Sequence, residues 1–199
     1  MKRGMLSFSD VRRLRQSPVF AFLVAALLCG VLAGSFTGMH IPQSAGSYAG
    51  DLAALVAENA TGELPSLRTV VACIGGTFGW AVGAVLLGAL PGRMMWVGLL
   101  TALRGFLLAF SAAAALVESG WRGIYISVVS IGISAVFWIP ALLLVCAAVL
   151  DAAQGRGNRG YFTALGRFGG VLGISTALLC GSALWRLLAV PVLLGLVGA

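Results

Sequence analysis

The chain has 199 residues, of which 60% are hydrophobic and only 10% are charged, and its mean hydropathy is +1.02. Soluble domains carry roughly a quarter charged residues, and a water-exposed fold of this length could not hide so much apolar surface. The formal charge of +7 does not point to nucleic acid, because the basic residues are scattered between apolar runs instead of gathered into a patch.

The composition predicts an all-α integral membrane protein, a polytopic helical bundle with about five transmembrane helices and a short external amphipathic helix. Residues 1–18 form a basic segment with Lys2, Arg3 and the cluster Arg12-Arg13-x-Arg15. Near anionic headgroups each such cation contributes about 1 kcal/mol. The first apolar run, residues 19–36, is long enough at about 1.5 Å per residue to cross a hydrocarbon core of roughly 30 Å. Several runs of equal hydrophobicity follow it, so it reads as an uncleaved anchor and not as a signal peptide.

Residues 37–68 make the longest connection, with Asp51, Glu58 and Glu63. Within it Tyr48, Leu52, Leu55 and Val56 recur at helical spacing, predicting an amphipathic helix that lies on the bundle or the headgroups, or else presents a docking surface. His40 stands alone in this loop, without a second ligand or a nucleophile nearby, so it signals neither metal nor catalysis. Asn59-Ala60-Thr61 fits a glycosylation sequon, too short a pattern to carry an argument.

Four more apolar runs follow at residues 69–90, 94–117, 124–150 and 169–189, each nearly free of charge and bounded by charged or Pro/Gly turns. Between the last two, residues 151–168 hold the Gly- and Arg-rich stretch Gln154-Gly155-Arg156-Gly157-Asn158-Arg159-Gly160. It has no lysine and no Gly-Lys-Ser/Thr ending, so it is not a phosphate-cradling loop. Orientation follows from Lys and Arg. With the N-terminus inside, the inner segments hold Lys2, Arg3, Arg12, Arg13, Arg15, Arg93, Arg156, Arg159 and Arg167, against Arg68 and Arg122 outside, nine to two. The tail, residues 190–199, then ends outside, unless the apolar stretch from Leu187 turns back at Pro191 as a short sixth segment.

Cys29, Cys73, Cys146 and Cys180 all fall inside apolar runs, with no C-x-x-C or Cys/His spacing. They read as small apolar packing residues, and neither a disulfide framework nor a metal or cofactor site is implied. Gly75, Gly79 and Gly83 repeat at four-residue spacing, as do Gly166/Gly170 and Gly169/Gly173, rows that let helix backbones approach closely in lipid. They are read as packing within the bundle or against a partner helix.

Arg104 lies near the middle of an apolar run, where a guanidinium costs about 3 kcal/mol. The residues offer it backbone carbonyls beside Gly105, the hydroxyls of Thr101 and Ser111, or Glu118 and Asp151 at the span ends. Its readings are a structural pin, an anchor for an anion or a gate, or a snorkelling side chain. Arg186, nearer a span end, is expected to snorkel.

Three motifs then occur in order: Arg104-Gly105-Phe106 within a span, Gly120-Trp121-Arg122-Gly123 at a turn, and Ile139-Pro140 in the next span. This order resembles the stage II sporulation protein M family, in which a basic residue with Gly-Phe, a Gly-Trp-Lys-Gly-like turn and an Ile-Pro step succeed one another. The family's Pro-x-Asn step is replaced here by Ile133-Ser134-Ala135. The resemblance covers about 50 residues in motif, together with the N-terminal anchor and long external loop in layout. It singles out Arg104, Gly105, Trp121 and Pro140. It also implies a non-catalytic multi-pass scaffold of the bacterial plasma membrane that gathers peptidoglycan hydrolases at the septum during forespore engulfment. The chain offers no Ser/His/Asp set, no paired intramembrane carboxylates and no H-E-x-x-H, so the expectation is not an enzyme. The alternative is a small transport component, such as the substrate-binding membrane subunit of a vitamin importer, in which Arg104 would anchor an anionic group.

Overall fold

A computed structural model describes Leu14 and residues 16–40, 67–153 and 160–190. The expected external helix, the basic residues up to Arg13 and the tail from Pro191 lie outside these residues. The elements are α1 (Pro18–His40), α2 (Leu67–Gly88), α3 (Arg93–Ser127), a first π-helical segment (Val128–Gly132), α4 (Ile133–Ala153), the short α5 (Tyr161–Leu165) with a 3-10 turn (Gly166–Phe168), α6 (Gly169–Leu184) and a second π-helical segment (Trp185–Ala189). Among the described residues, four stretches are long and apolar enough to cross a membrane: Pro18–His40, Arg93–Val117, Ile133–Ala153 and Tyr161–Ala189. In α2 the apolar part, Cys73–Gly88, is shorter than a full span.

Local chemistry sets the boundaries. α1 begins where the Ser17 hydroxyl accepts the Phe20 N–H at 3.2 Å, with Pro18 in the first helical position. It runs one turn beyond the expected end at Phe36, so Thr37 and His40 are helical: the Thr37 hydroxyl donates to the Ala33 carbonyl at 2.8 Å. The His40 ring stacks on Phe36 with centroids 4.2 Å apart, and its Nδ1 donates to the Phe36 carbonyl. The turn from α2 to α3 passes through Pro91 and Gly92, the latter at φ 73. Inside α3, Gly120 takes φ 56 and ψ −131 and interrupts the helix, at the turn expected between the third and fourth apolar runs. Both backbone settings favour glycine.

α4 is the centre of the bundle. Every residue from Ala141 to Leu150 is buried, as a helix apolar on all sides requires. It packs against α6, α2, α1, α3 and α5. The outer helices instead present large apolar side chains outward, among them Leu32 at 71% and Val71 at 67% exposure. A continuous belt of this kind is stable facing lipid and not water.

α1 and α3 form the closest pair. They run parallel, since Phe22 meets Gly98, Gly34 meets Phe106 and Gly38 meets Phe110 in rising order. α2 and α4 run the other way: Gly88 meets Val149, and Val19, Arg93, Met94 and Leu150 line one recess. The starts of α1 and α3 and the ends of α2 and α4 therefore share one end of the bundle. Tyr161 is fixed there too, its hydroxyl donating to the Val85 carbonyl at 2.9 Å. The loop expected over residues 151–168 is helical from Tyr161 onward, and this contact is what holds it.

Candidate functional site

Arg104 stands eleven residues beyond Arg93 on α3, about 16 Å along the helix axis and so near mid-depth. Its guanidinium carbon lies 5.0 Å from the ring centroid of Trp80 on α2 and 4.5 Å from that of Trp138 on α4. The hydroxyls offered by the sequence are engaged elsewhere. Thr101 donates to the Val97 carbonyl at 2.8 Å and is packed on Cys146, and Ser111 donates to the Leu108 carbonyl at 3.0 Å. The partners of Arg104 are thus indole faces rather than carbonyls or hydroxyls. A desolvated cation–π contact is worth about 2 kcal/mol, so two of them match an insertion cost of about 3 kcal/mol.

The stack leaves the side chain incompletely bonded. Among the described residues the buried Nε of Arg104 has no hydrogen-bond partner, and neither has the Thr77 hydroxyl, one turn from Trp80 on α2. On the other side of Trp138, the Ser134 and Ser182 hydroxyls bond at 2.9 Å, both fully buried. Arg186 follows Ser182 by one turn, in the second π-helical segment, and is half-buried. The indole N–H of Trp185 donates to the Val129 carbonyl at 3.2 Å, joining the two π-helical segments.

The other residues singled out by sequence have separate roles. A methyl group on Gly105 would sit 2.5 Å from the Leu27 carbonyl oxygen, so this glycine seats α1 on α3. Trp121 is 87% exposed and takes no part in the arginine cluster. Pro140 lies inside α4, where it removes a bond to the carbonyl one turn earlier, two residues past Trp138. Gly75 and Gly79 have no atom from another helix within 4 Å, and Gly83 meets only the end of Leu100 at 3.3 Å. Gly166, Gly169 and Gly173 also face open space. The close intramolecular approach expected of these rows belongs to Gly30, Gly34 and Gly38, where an added methyl would strike the backbone of Ala102, Phe106 and Phe110. That row has the same four-residue spacing, inside the segment expected to be a membrane anchor.

All four cysteines are free, and among the described residues no group of His, Cys, Asp or Glu is placed to hold a metal. Fold and site together define a polytopic helical membrane protein with a tryptophan-flanked arginine in its interior. The chain matches no family model, no curated protein and no solved structure.

Proposed function

We propose that the protein is a non-catalytic membrane scaffold of five spans, α2 included, with the Arg93 end cytoplasmic and the C-terminus outside, in a bacterial plasma membrane. The observation that carries this reading is the open glycine face of α2. Among the described residues nothing lies opposite Gly75, Gly76 and Gly79 on it, and it is flanked by the exposed side chains of Val71 and Ile74. In lipid such a surface associates with another helix through close van der Waals contact, which suits a protein whose work is to hold membrane partners. Arg93 and Arg167 at one end of the bundle agree with the positive-inside orientation.

The partners we infer are membrane-anchored peptidoglycan hydrolases at a sporulation septum. This narrower reading rests on the resemblance at Arg104-Gly105-Phe106, Gly120 to Gly123 and Ile139-Pro140 to the stage II sporulation protein M family. Supporting it, Gly105 and Gly120 each occupy a position that the fold restricts to glycine.

Affinity purification from gently solubilised membranes tests the proposal. Wall hydrolases are expected with the wild-type chain and absent with the double variant Gly75→Leu/Gly79→Leu. Recovery of an ATPase without hydrolases would overturn it. A reporter active only in the cytoplasm, fused to Ala199, is expected to be silent.

A further inference from the structure

Arg104 and Arg186 are two half-buried cations; Arg186 stands one turn past Ser182, whose hydroxyl bonds that of Ser134 one turn before Trp138, and among the described residues no carboxylate stands between them. Asp151 lies at the far end of α4, thirteen residues from Trp138, about 20 Å along the axis. In a low-dielectric surrounding, repulsion between unscreened like charges is large, and ring faces offset the cost of Arg104 alone. The indole contacts also leave guanidinium donors open, since Nε of Arg104 has no partner. A third polar group, the Thr77 hydroxyl, is 6% exposed and equally unpartnered, one turn from Trp80. Arg186 is set in a π-helical segment, a backbone form concentrated at functional sites.

We propose that these residues form a binding site for an oxyanion, a phosphate or carboxylate group, in the half of the bundle away from Arg93. Arg104 and Arg186 supply the charge and the planar donor forks that meet two oxygens at once. Trp80 and Trp138 wall the Arg104 side and hold its guanidinium, and the Thr77 hydroxyl provides a neutral donor. The bonded Ser134–Ser182 pair ties α4 to α6 between Trp138 and Arg186, which fixes the spacing of the two cations. The oxyanion is the headgroup of an anionic lipid entering from the bilayer or a soluble anion entering from the membrane face, and the chemistry of the site is the same for both.

The full-length protein in phosphatidylcholine nanodiscs tests this, with tryptophan fluorescence as the readout, because Trp80 and Trp138 adjoin the site. In one arm phosphatidylglycerol is titrated into the bilayer; in the other, inorganic phosphate and acetate are added to the solution. A saturable change with the lipid alone identifies a headgroup site, and one with the soluble anions identifies a site open to water. In either case Arg186→Gln is expected to weaken binding by about tenfold, and Arg104→Lys, which keeps the charge but loses the fork, by a similar factor. Circular dichroism and thermal unfolding of both variants report whether the bundle is intact. A saturable change that persists undiminished in both folded variants, or no saturable response to any of the three anions, would overturn the proposal.

Discussion

At the scale of single residues, the position of Arg104 shows how a charge is accommodated in an apolar helix without an ion pair. Trp138 contributes both its area and its ring face, so the two effects can be separated. Trp138→Ala is expected to destabilise the bundle by about 3–5 kcal/mol, read from unfolding in mixed micelles. Trp138→Phe keeps a weaker face and should cost less. In a double-mutant cycle, Trp138→Phe combined with Arg104→Met should give a coupling energy of about 1 kcal/mol; additivity within error would mean that the contact at 4.5 Å does nothing. The importance of Arg104 was legible from sequence, because an arginine in the middle of an apolar run is costly wherever it is put. Its partners were not. Trp80 and Trp138 are 24 and 34 residues away in the chain, and only the packing of α2 and α4 around α3 brings them together.

At the scale of elements, the helices meet through glycine where α1 lies on α3 and leave glycine unused on α2. These two rows look alike in sequence, and the tertiary arrangement alone decides which is filled. Gly34→Leu is expected to force the α1–α3 backbones apart and lower stability by at least 2 kcal/mol, as overpacking does. Gly75→Leu should change the stability of the isolated chain by less than about 1 kcal/mol, because the side chain enters open space. Unfolding both variants in the same micelles makes the comparison, and equal losses would contradict the assignment of the rows. Another element contact rests on one hydroxyl: Tyr161→Phe strips the Val85 carbonyl of its partner and should cost about 1 kcal/mol. The helix starts at Pro18, Leu67 and Arg93 lie within a few residues of those expected, whereas α4 begins at Ile133 and not at residue 124, and the last helical stretch begins early, at Tyr161. The missing signal there was a buried phenol whose acceptor lies 76 residues earlier.

At the scale of the whole molecule, the bundle is built inside out relative to a soluble domain only in its surface, since its interior is equally close-packed. The cysteines sample both environments. Cys29 and Cys180 face outward and Cys146 is fully buried. In intact membranes a charged thiol reagent should label neither Cys29 nor Cys180, and a membrane-permeant maleimide should label them only slowly, because hydrocarbon disfavours the reactive thiolate. Cys146 should react only after denaturation, as mass spectrometry of the labelled peptides would show. Reaction of Cys29 with the charged reagent would place that face in water and contradict a lipid-facing α1. The fold class was legible because apolar runs of this length have few alternatives. The order in which the helices pack was not, because a hydropathy pattern says which faces are greasy and nothing about which neighbour each one meets.

The parallel pairing of α1 with α3 has a consequence for how the protein is made. Synthesis delivers α1 before α2 and α3, yet the grooved face at Gly30, Gly34 and Gly38 finds no mate in α2, the next described helix to emerge. That face must wait in lipid until translation has passed Phe110, so the earliest nascent chains are the most exposed to quality-control proteases. Stalled chains ending at residue 90 should be degraded in cells much faster than chains ending at residue 127. A substitution that fills the groove should erase the difference.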